Sequence, residues 1–363
     1  MLRIEKLGAP PWPTLDPFLF CVHHRDAYPA GNGELGPVAD LSSRQLGNDF
    51  SGREGWSMYH GRVVPGFPRH PHRGFETITV VRRGLIDHSD SLGAAARYGQ
   101  GDVQWLTAGQ GIVHSEMFPL LDANAPNPLE LFQIWLNLPS SSKFVEPRFS
   151  MLWSDTIPKR AYRDAQKRQT LVTAVAGQIR DLIPPAPPPN SWAARPAGQI
   201  AIWTLKLDSN ASFELPAADA TLRVPNRILY FFAGATLRLS GYDSQSAARA
   251  RSSVTGRSAS REIERGHLAE LRATQPVLIE NGAADAEILV LQGAPIGEPV
   301  VKYGPFVMTT EQEIRQAYAD YRRTEFGGWP WPSPGPVHGA SDSGRFARHA
   351  DGRLERANRS SSG

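Results

Sequence analysis

Short segments rich in β-branched and aromatic residues recur from Phe75 to the mid-290s, separated by clusters of Gly, Pro, Asn and Asp. This alternation of strand-forming and turn-forming segments is typical of all-β proteins. The 33 Gly and 31 Pro among 363 residues also favour many turns over long helices. The first group of segments reads ETITVVRRG, DVQWLTAG and LFQIWLNL, and the second reads TLVTAVAG, IAIWTLKL, RILYFFAGATLRLS, PVLIENG and AEILVLQG. We therefore predict an all-β fold with two β-barrels in tandem.

Several stretches fall outside this strand pattern. Residues 139–165 are rich in serine, proline and charge, which predicts a junction between the two groups. Residues 242–264 are polar, arginine-bearing and of low complexity, which is typical of a surface insertion. After Gly327 the chain offers little apolar surface to bury, so we expect an extended C-terminal arm.

One helix is predicted shortly before this arm, in the segment TTEQEIRQAYADYR. Thr310 is followed three residues later by Glu313, which is the pattern of a capping box. Ile314, Ala317, Tyr318 and Tyr321 then fall on one helical face.

Charge and cysteine content limit the class of protein. Lys and Arg total 39 against 36 Asp and Glu, and a net charge of +3 gives so weak a field that direct nucleic-acid binding is not expected. Cys21 is the only cysteine, so the chain needs no oxidising compartment. No run approaches the roughly 20 apolar residues of a membrane span, and charges and prolines interrupt the N-terminal apolar residues. We expect a cytoplasmic protein that does not contact membranes.

Histidines are concentrated near the N-terminus, where seven of the ten lie within the first 114 residues. His70 and His72 precede the segment ETITVVRR, and His114 and Glu116 follow DVQWLTAGQGIV. Residues two apart on an extended chain point to the same side, so each pair can direct two side chains at one point. If the pairs meet, three imidazoles and one carboxylate form a metal site in the first barrel.

This mixture of nitrogen and oxygen donors suits Fe, Mn, Ni, Cu or Co, and the lack of thiolates argues against a structural zinc of the finger type. We expect a redox-active ion, with Fe first. Each pair taken alone has a plainer interpretation, in which imidazoles cap backbone groups in a loop. The glycines in this region are assigned to β-turns, because neither a GK[ST] sequence nor a helix follows them as in a phosphate-binding loop.

Three stretches together resemble the pirin family of the cupin superfamily. They read HPHRGFETITVVRRGLIDHSDSLG, GQGDVQWLTAGQGIVHSEMF and APIGEPVVKYGPFVMTTEQEI, in this order. The resemblance runs from about Asp16 to Gly327 and is strongest over residues 66–138 and 293–321. It implies a bicupin with two jelly-roll-like β-barrels, of which the N-terminal one holds a single metal ion, usually iron.

This resemblance gives the predicted domains and ligands. We expect a metal-binding cupin domain at 1–140, a cupin domain without metal ligands at 141–300, and the short helix and extended arm at 301–363. Carried over position by position, the pirin ligands match His70, His72, His114 and Glu116. The expected cofactor is one divalent ion per chain, with Fe first and Mn, Ni, Cu, Co or Zn as alternatives.

Three further polar residues near these motifs need an interpretation. The wider cupin pattern has a ligand Glu four residues after the second His, where Glu76 stands, but pirins use the Glu of the HxE pair. Glu76 is therefore expected to be a hydrogen-bonding group close to the site. His60 and His88 are interpreted as structural histidines, with the mouth of the site as the alternative.

Some pirins are similar in activity to quercetin 2,3-dioxygenase. The resemblance therefore implies a dioxygenase that uses O₂ on a flavonol-like aromatic substrate, which should bind as an anion on the ion. Glu116 is the candidate catalytic residue, because it could accept the flavonol proton. The apolar residues near the site are Phe67, Trp105, Ile112, Met117 and Phe118. They would suit an aromatic substrate and would equally suit a barrel core.

The alternative function belongs to another class, because pirins also resemble metal- or redox-dependent cofactors that bind a transcription factor or a metabolic enzyme. In that case the arginines of the insertion could form the docking surface, and they are Arg249, Arg251, Arg257 and Arg261. The plainer interpretation is that the insertion is a solvated loop. A cupin sugar isomerase is a weaker hypothesis, because the chain has pirin's HxE pair. A monomer is expected.

Overall fold

Strands make up most of the regular structure in the computed structural model, which describes residues 2–241, 260–339 and 344–358. Every segment that the sequence analysis assigns to a strand forms one, and the described ranges contain a single α-helix. By contacts the chain divides into a first unit, Phe20–Asp155 with Glu298–Gly363, and a second unit, Met1–Leu19 with Thr156–Gly297.

The first twelve strands are β1 (Arg3–Lys6), β2 (Phe18–Tyr28), β3 (Gly66–His72), β4 (Phe75–Arg83), β5 (Leu85–Asp90), β6 (Ala95–Gly99), β7 (Val103–Thr107), β8 (Ile112–Met117), β9 (Asn127–Asn137), β10 (Arg148–Leu152), β11 (Lys159–Arg163) and β12 (Gln169–Ala176). The next eight are β13 (Ala201–Leu207), β14 (Ser212–Leu215), β15 (Asn226–Ala233), β16 (Thr236–Gly241), β17 (Arg261–Glu264), β18 (His267–Arg272), β19 (Val277–Asn281) and β20 (Ala286–Gly293). Then follow β21 (Val301–Tyr303), β22 (Phe306–Met308), the helix α1 (Glu311–Thr324), β23 (Phe346–Arg348) and β24 (Leu354–Arg356).

The first unit contains two larger sheets. One has the order β10-β7-β4-β9-β2 and the other β24-β23-β6-β5-β8-β3. Val81 and Leu106 from the first sheet share a buried apolar cluster with Ile86 and Ala96 from the second, so the core lies between the sheets. Strands β3 and β8, which carry the predicted metal ligands, are neighbours in the six-stranded sheet.

The second unit repeats this plan with a seven-stranded sheet, β1-β18-β15-β20-β13-β12-β11, and a four-stranded sheet, β14-β19-β16-β17. Its core joins Trp203 and Leu229 of the larger sheet to Leu237 and Ile279 of the smaller. Strand β1 belongs to this unit, because Arg3 pairs with Glu270 of β18.

Helix α1 begins with the predicted capping box. The Thr310 hydroxyl accepts a hydrogen bond from the backbone N–H of Glu313 at 3.2 Å, and the Glu313 carboxylate accepts one from the backbone N–H of Thr310 at 3.0 Å. Ile314 and Ala317 on its inner face are buried against Phe306. The apolar face predicted for this helix is therefore the face that is buried.

The C-terminal arm is extended and adds two strands to the six-stranded sheet. Strand β23 pairs with β6, with Phe346 opposite Arg97. Arg97 is fully buried and donates two hydrogen bonds of 2.7 Å to the Asp87 carboxylate, and its guanidinium also bonds the backbone carbonyl of His338 in the arm. A buried ion pair therefore holds the arm against the sheet at His338.

Most of the arginine-bearing insertion lies outside the described residues, including Arg249, Arg251 and Arg257. Arg261, at the start of β17, is exposed. None of the helices in the described ranges is long and apolar enough to cross a membrane.

Candidate metal centre

Three of the four predicted ligands come together on adjacent strands. His70 of β3 stands opposite His114 of β8 in an antiparallel pair, and His72 lies two residues further along β3. One ring nitrogen from each of the three histidines lies within 4.8 Å of the others. The ring centroids are 4.4 Å apart for His70 and His114, and 4.9 Å apart for His72 and His114. This group could hold a metal ion.

The hydrogen bonds of these histidines leave ring nitrogens free. His70 Nδ1–H donates to the Pro68 carbonyl at 2.8 Å, which leaves a lone pair on Nε2. Within the described residues no hydrogen bond reaches either ring nitrogen of His114, or Nδ1 of His72, although all three atoms are buried. A buried polar atom without a partner costs about 1–3 kcal/mol. A bound cation would relieve this cost.

Burial also sets the charge of the three rings. Desolvation lowers the pKa of His70 to about 4, and it lowers the pKa of His72 and His114 well below the ordinary value. The rings are therefore neutral at pH 7, which is the form that binds a metal ion. The donor set fits a first-row divalent ion.

Glu116 lies in the same cavity as His70 and His72 but is not in the compact histidine group. Its carboxylate accepts hydrogen bonds from Thr79 Oγ1 at 3.0 Å and from Gln133 Nε2 at 3.2 Å. Burial raises the pKa of Glu116. The structure therefore brings three predicted ligands together and holds the fourth nearby through side chains of β4 and β9.

The cavity has a volume of about 170 Å³, and its walls are mainly aromatic and aliphatic. Phe67 and Phe118 line it, as the sequence analysis allows, whereas Trp105, Ile112 and Met117 are buried and are not among its lining residues. Sequence reasoning missed seven lining residues: Phe20, His24, Thr79, Ile86, Leu131, Gln133 and Trp135. The only signal for any of them was the position of His24 among the N-terminal histidines.

The other polar residues of this region have hydrogen-bonding roles. Glu76 is fully buried and accepts a hydrogen bond of 2.7 Å from Thr107 Oγ1. His60 is exposed, with Nδ1 2.9 Å from the Gly47 carbonyl oxygen. His88 is buried beside His114, and its Nε2 lies 3.1 Å from the Asp90 carboxylate. None of the three belongs to the histidine group.

Two family models match the chain. The Pirin model matches residues 37–136, which include all four predicted ligands, and the model of the Pirin C-terminal cupin domain matches residues 202–327. Human pirin is 32% identical over 275 residues, which cover 74% of this chain and 80% of that protein. The chain belongs to the pirin family. The resemblance stated from the sequence is therefore confirmed.

Other proteins similar to this pirin include bacterial ones. A pirin-like protein of Caulobacter vibrioides is 34% identical over 265 residues, which cover 72% of this chain and 80% of that one. A Pseudomonas aeruginosa protein, provisionally named a quercetin 2,3-dioxygenase, is 32% identical over 263 residues. These residues cover 72% of this chain and 79% of that protein.

A solved structure also resembles this pirin. A quercetin 2,3-dioxygenase from Acinetobacter baumannii is 25% identical, with a TM-score of 0.62, and the match covers 86% of this chain and 87% of that one. With the two family models, this similarity confirms the predicted all-β fold of two cupin domains, a short C-terminal helix and an extended arm.

Proposed function

We propose that this pirin is a metal-dependent dioxygenase of the quercetin 2,3-dioxygenase type, which uses O₂ on a flavonol-like substrate. The observation that carries the proposal is the group of three neutral imidazoles, two of which, His70 and His72, line a mainly apolar cavity. The names of the Pseudomonas and Acinetobacter relatives support this class of reaction.

In this proposal His70, His72 and His114 hold one divalent ion, with Glu116 as the fourth ligand. Fe is the first expectation, and Mn, Ni, Cu, Co or Zn are alternatives that suit the same donors. The ion would supply Lewis-acid and redox chemistry for the reaction with O₂. Hydrogen bonds from Thr79 and Gln133 would orient the Glu116 carboxylate toward its ligand role.

The walls of the cavity would bind the aromatic substrate and exclude water. Phe20 and Trp135 stack with ring centroids 4.6 Å apart, and Phe67 forms another wall. At about 170 Å³ the cavity is smaller than the roughly 300 Å³ at which pockets for whole ligands begin, so it would take only the ring that bears the reacting hydroxyl. A neighbouring cavity of about 840 Å³ shares Phe67 and His70 with it and would take the rest.

One cation favours an anionic substrate. The Lys302 ammonium lies 4.7 Å from the ring centroid of Trp135 and 5.4 Å from that of Phe20, and both rings line the cavity. A deprotonated flavonol in the cavity would therefore lie close to a positive charge other than that of the ion.

The test is to measure metal content and O₂ consumption with quercetin for the wild type and for His70→Ala. His267→Ala is the control, because His267 is an imidazole of the second unit whose Nδ1 lies 2.9 Å from the Glu264 carbonyl oxygen. We expect about one ion per chain and O₂ uptake in the wild type and the control, and loss of both in His70→Ala. Bound metal without uptake would favour the protein-binding alternative, and a wild type without metal would overturn the site.

A further inference from the structure

A chain of hydrogen bonds leads from the cavity into the core of the first unit. His24 of β2 lines the cavity, and its Nδ1 lies 2.9 Å from the hydroxyl oxygen of Tyr59. The Tyr59 hydroxyl donates a hydrogen bond of 2.8 Å to Oδ2 of Asp26, which is buried. The other carboxylate oxygen of Asp26 accepts from the backbone N–H of Ser57 at 2.9 Å.

The hydroxyl of Tyr59 has only one proton, and this fixes the direction of the chain. Since that proton is donated to Asp26, the Tyr59 oxygen must accept from His24, so His24 carries its proton on Nδ1. Nε2 of His24 then has a free lone pair, and the described residues offer it no hydrogen bond. The cavity therefore contains a proton acceptor that is separate from the histidine group.

The middle of the chain is held rigidly. Tyr59 has a φ of 56°, in the left-handed region that side chains other than glycine rarely adopt. Two backbone hydrogen bonds of 2.8 Å between Tyr59 and Asp49 hold it there, and its ring stacks on Phe67 at 5.1 Å. Strained backbone of this kind persists only where the surrounding structure enforces it, and it is concentrated at functional sites.

We propose that His24, Tyr59 and Asp26 form a proton relay that removes the hydroxyl proton of a ligand in the cavity and stores it on Asp26. The ligand's O–H bond breaks and an Nε2–H bond forms on His24, while the electron pair stays on the ligand oxygen. The Nδ1 proton passes to Tyr59, whose own proton passes to the Asp26 carboxylate. His24 changes tautomer and stays neutral, and one negative charge moves from Asp26 to the ligand.

The electrostatics agree with this direction of transfer. Burial, together with His23, lowers the pKa of His24 to about 4, so a lasting imidazolium is unfavourable. Burial raises the pKa of Asp26 to about 6, which makes it the better place for the proton. Asp49 and Arg44 face Asp26 from the neighbouring loop with opposite effects on its pKa, and burial next to Asp26 keeps Tyr59 protonated.

The relay assigns different roles to His24 and Glu116, and it rests on the proposed function. Glu116 already accepts hydrogen bonds from Thr79 and Gln133 and is the proposed fourth ligand, which leaves it few lone pairs for a proton. His24 has an unused lone pair and a route that carries the proton away.

The experiment is anaerobic binding of quercetin to the metal-loaded protein, in which the red shift of flavonol absorption reports ionisation of the bound hydroxyl. The variants are His24→Gln, Tyr59→Phe and Asp26→Asn, with Glu116→Gln for comparison. His267→Gln is the control, because His267 is an imidazole of the second unit whose Nδ1 lies 2.9 Å from the Glu264 carbonyl oxygen. Metal content is measured for every variant, and Tyr59→Phe keeps the aromatic ring if Asp26→Asn does not fold.

We expect the relay variants to retain metal while the ionised fraction of bound quercetin falls about tenfold or more and kcat about 100-fold. The control should match the wild type. The acidic limb of the wild-type rate profile, near pH 6, should be absent from Asp26→Asn. Quercetin that is fully ionised in all three relay variants would overturn the relay and leave the proposed function standing. A loss of quercetin ionisation in Glu116→Gln alone would have the same meaning. A metal-loaded wild type that binds no quercetin would overturn both.

Discussion

His70 and His114 face each other directly across the antiparallel strands β3 and β8, with their ring centroids 4.4 Å apart. A slip of one residue would turn one of the rings to the other face of the sheet. The register depends on a bulge between Phe67 and His70, and on Gly66, where a Cβ would lie 2.5 Å from the backbone oxygen of Glu116. The geometry of the histidine group is therefore fixed by backbone as much as by side chains.

Metal removal should destabilise the first unit. An ion that binds only the folded state stabilises it by about 2.7 kcal/mol when the free ion is at 100 times its Kd. We expect a chelator to lower the Tm of the wild type and to leave that of His114→Ala unchanged. Calorimetry with and without chelator measures this, with His267→Ala as the variant that should behave like the wild type. An equal response of His114→Ala would contradict the assignment of this ligand.

Glu116→Gln should fold normally, because an amide can still hydrogen-bond Thr79 and Gln133. It lacks the charge of a carboxylate ligand, so we expect metal affinity to fall at least about tenfold and oxygenase turnover to be lost. Competition with a metal-binding dye and O₂ uptake on quercetin give the two quantities. Turnover equal to that of the wild type would remove Glu116 from the mechanism.

Lys143 should make stability depend on pH in the alkaline range. Its buried ammonium donates to the Gly74 carbonyl and to Asn137 Oδ1, both at 2.8 Å, and desolvation lowers its pKa from 10.5 to about 8. Between these values the unfolded chain binds more protons than the folded one. Stability should therefore rise with pH, by up to about 3 kcal/mol from this group.

The measurement for Lys143 is urea unfolding of the wild type and Lys143→Met at pH 7 and pH 10. Other groups titrate equally in both proteins, so the difference between them isolates Lys143. The stability of the wild type relative to the variant should increase at the higher pH. A difference that stays constant or shrinks would show that the lysine is not desolvated in the fold.

Arg97→Met should strongly destabilise the six-stranded sheet. The substitution leaves the fully buried Asp87 carboxylate without its ion pair and frees the arm carbonyl of His338. Loss of one partner of a buried pair costs about 3–5 kcal/mol. Denaturant unfolding measures this, and Arg348→Ala, at an exposed position of β23, should change stability by less than about 0.5 kcal/mol. Equal effects of the two substitutions would contradict this role of Arg97.

Much of the fold could be predicted because its signals are local. Strands such as β4 and β20 follow from runs of β-branched residues, and the capping box of Thr310 and Glu313 identifies the helix. The histidine group also follows from local spacing, because residues two apart share one side of a strand.

The rest depends on pairing between distant segments. His24 and Trp135 line one cavity because β2 and β9 are neighbours in a sheet, although more than 100 residues separate the two side chains. Strand β1 joins the second unit by pairing with β18, with Arg3 opposite Glu270, and no local sequence pattern predicts that pairing. The same-side rule placed Glu116 in the cavity, but it could not show that Thr79 and Gln133 would hydrogen-bond its carboxylate.

The division of the chain has a consequence for its synthesis. The first unit takes its last segment from Glu298 onward, and the sheet that carries His70 and His114 gains β23 only after the whole second unit has been translated. The hydrogen bond from Arg97 to the carbonyl of His338 can also form only after this segment has been translated. Until that segment has been translated, the edge of β6 that pairs with β23 in the finished fold has no partner strand.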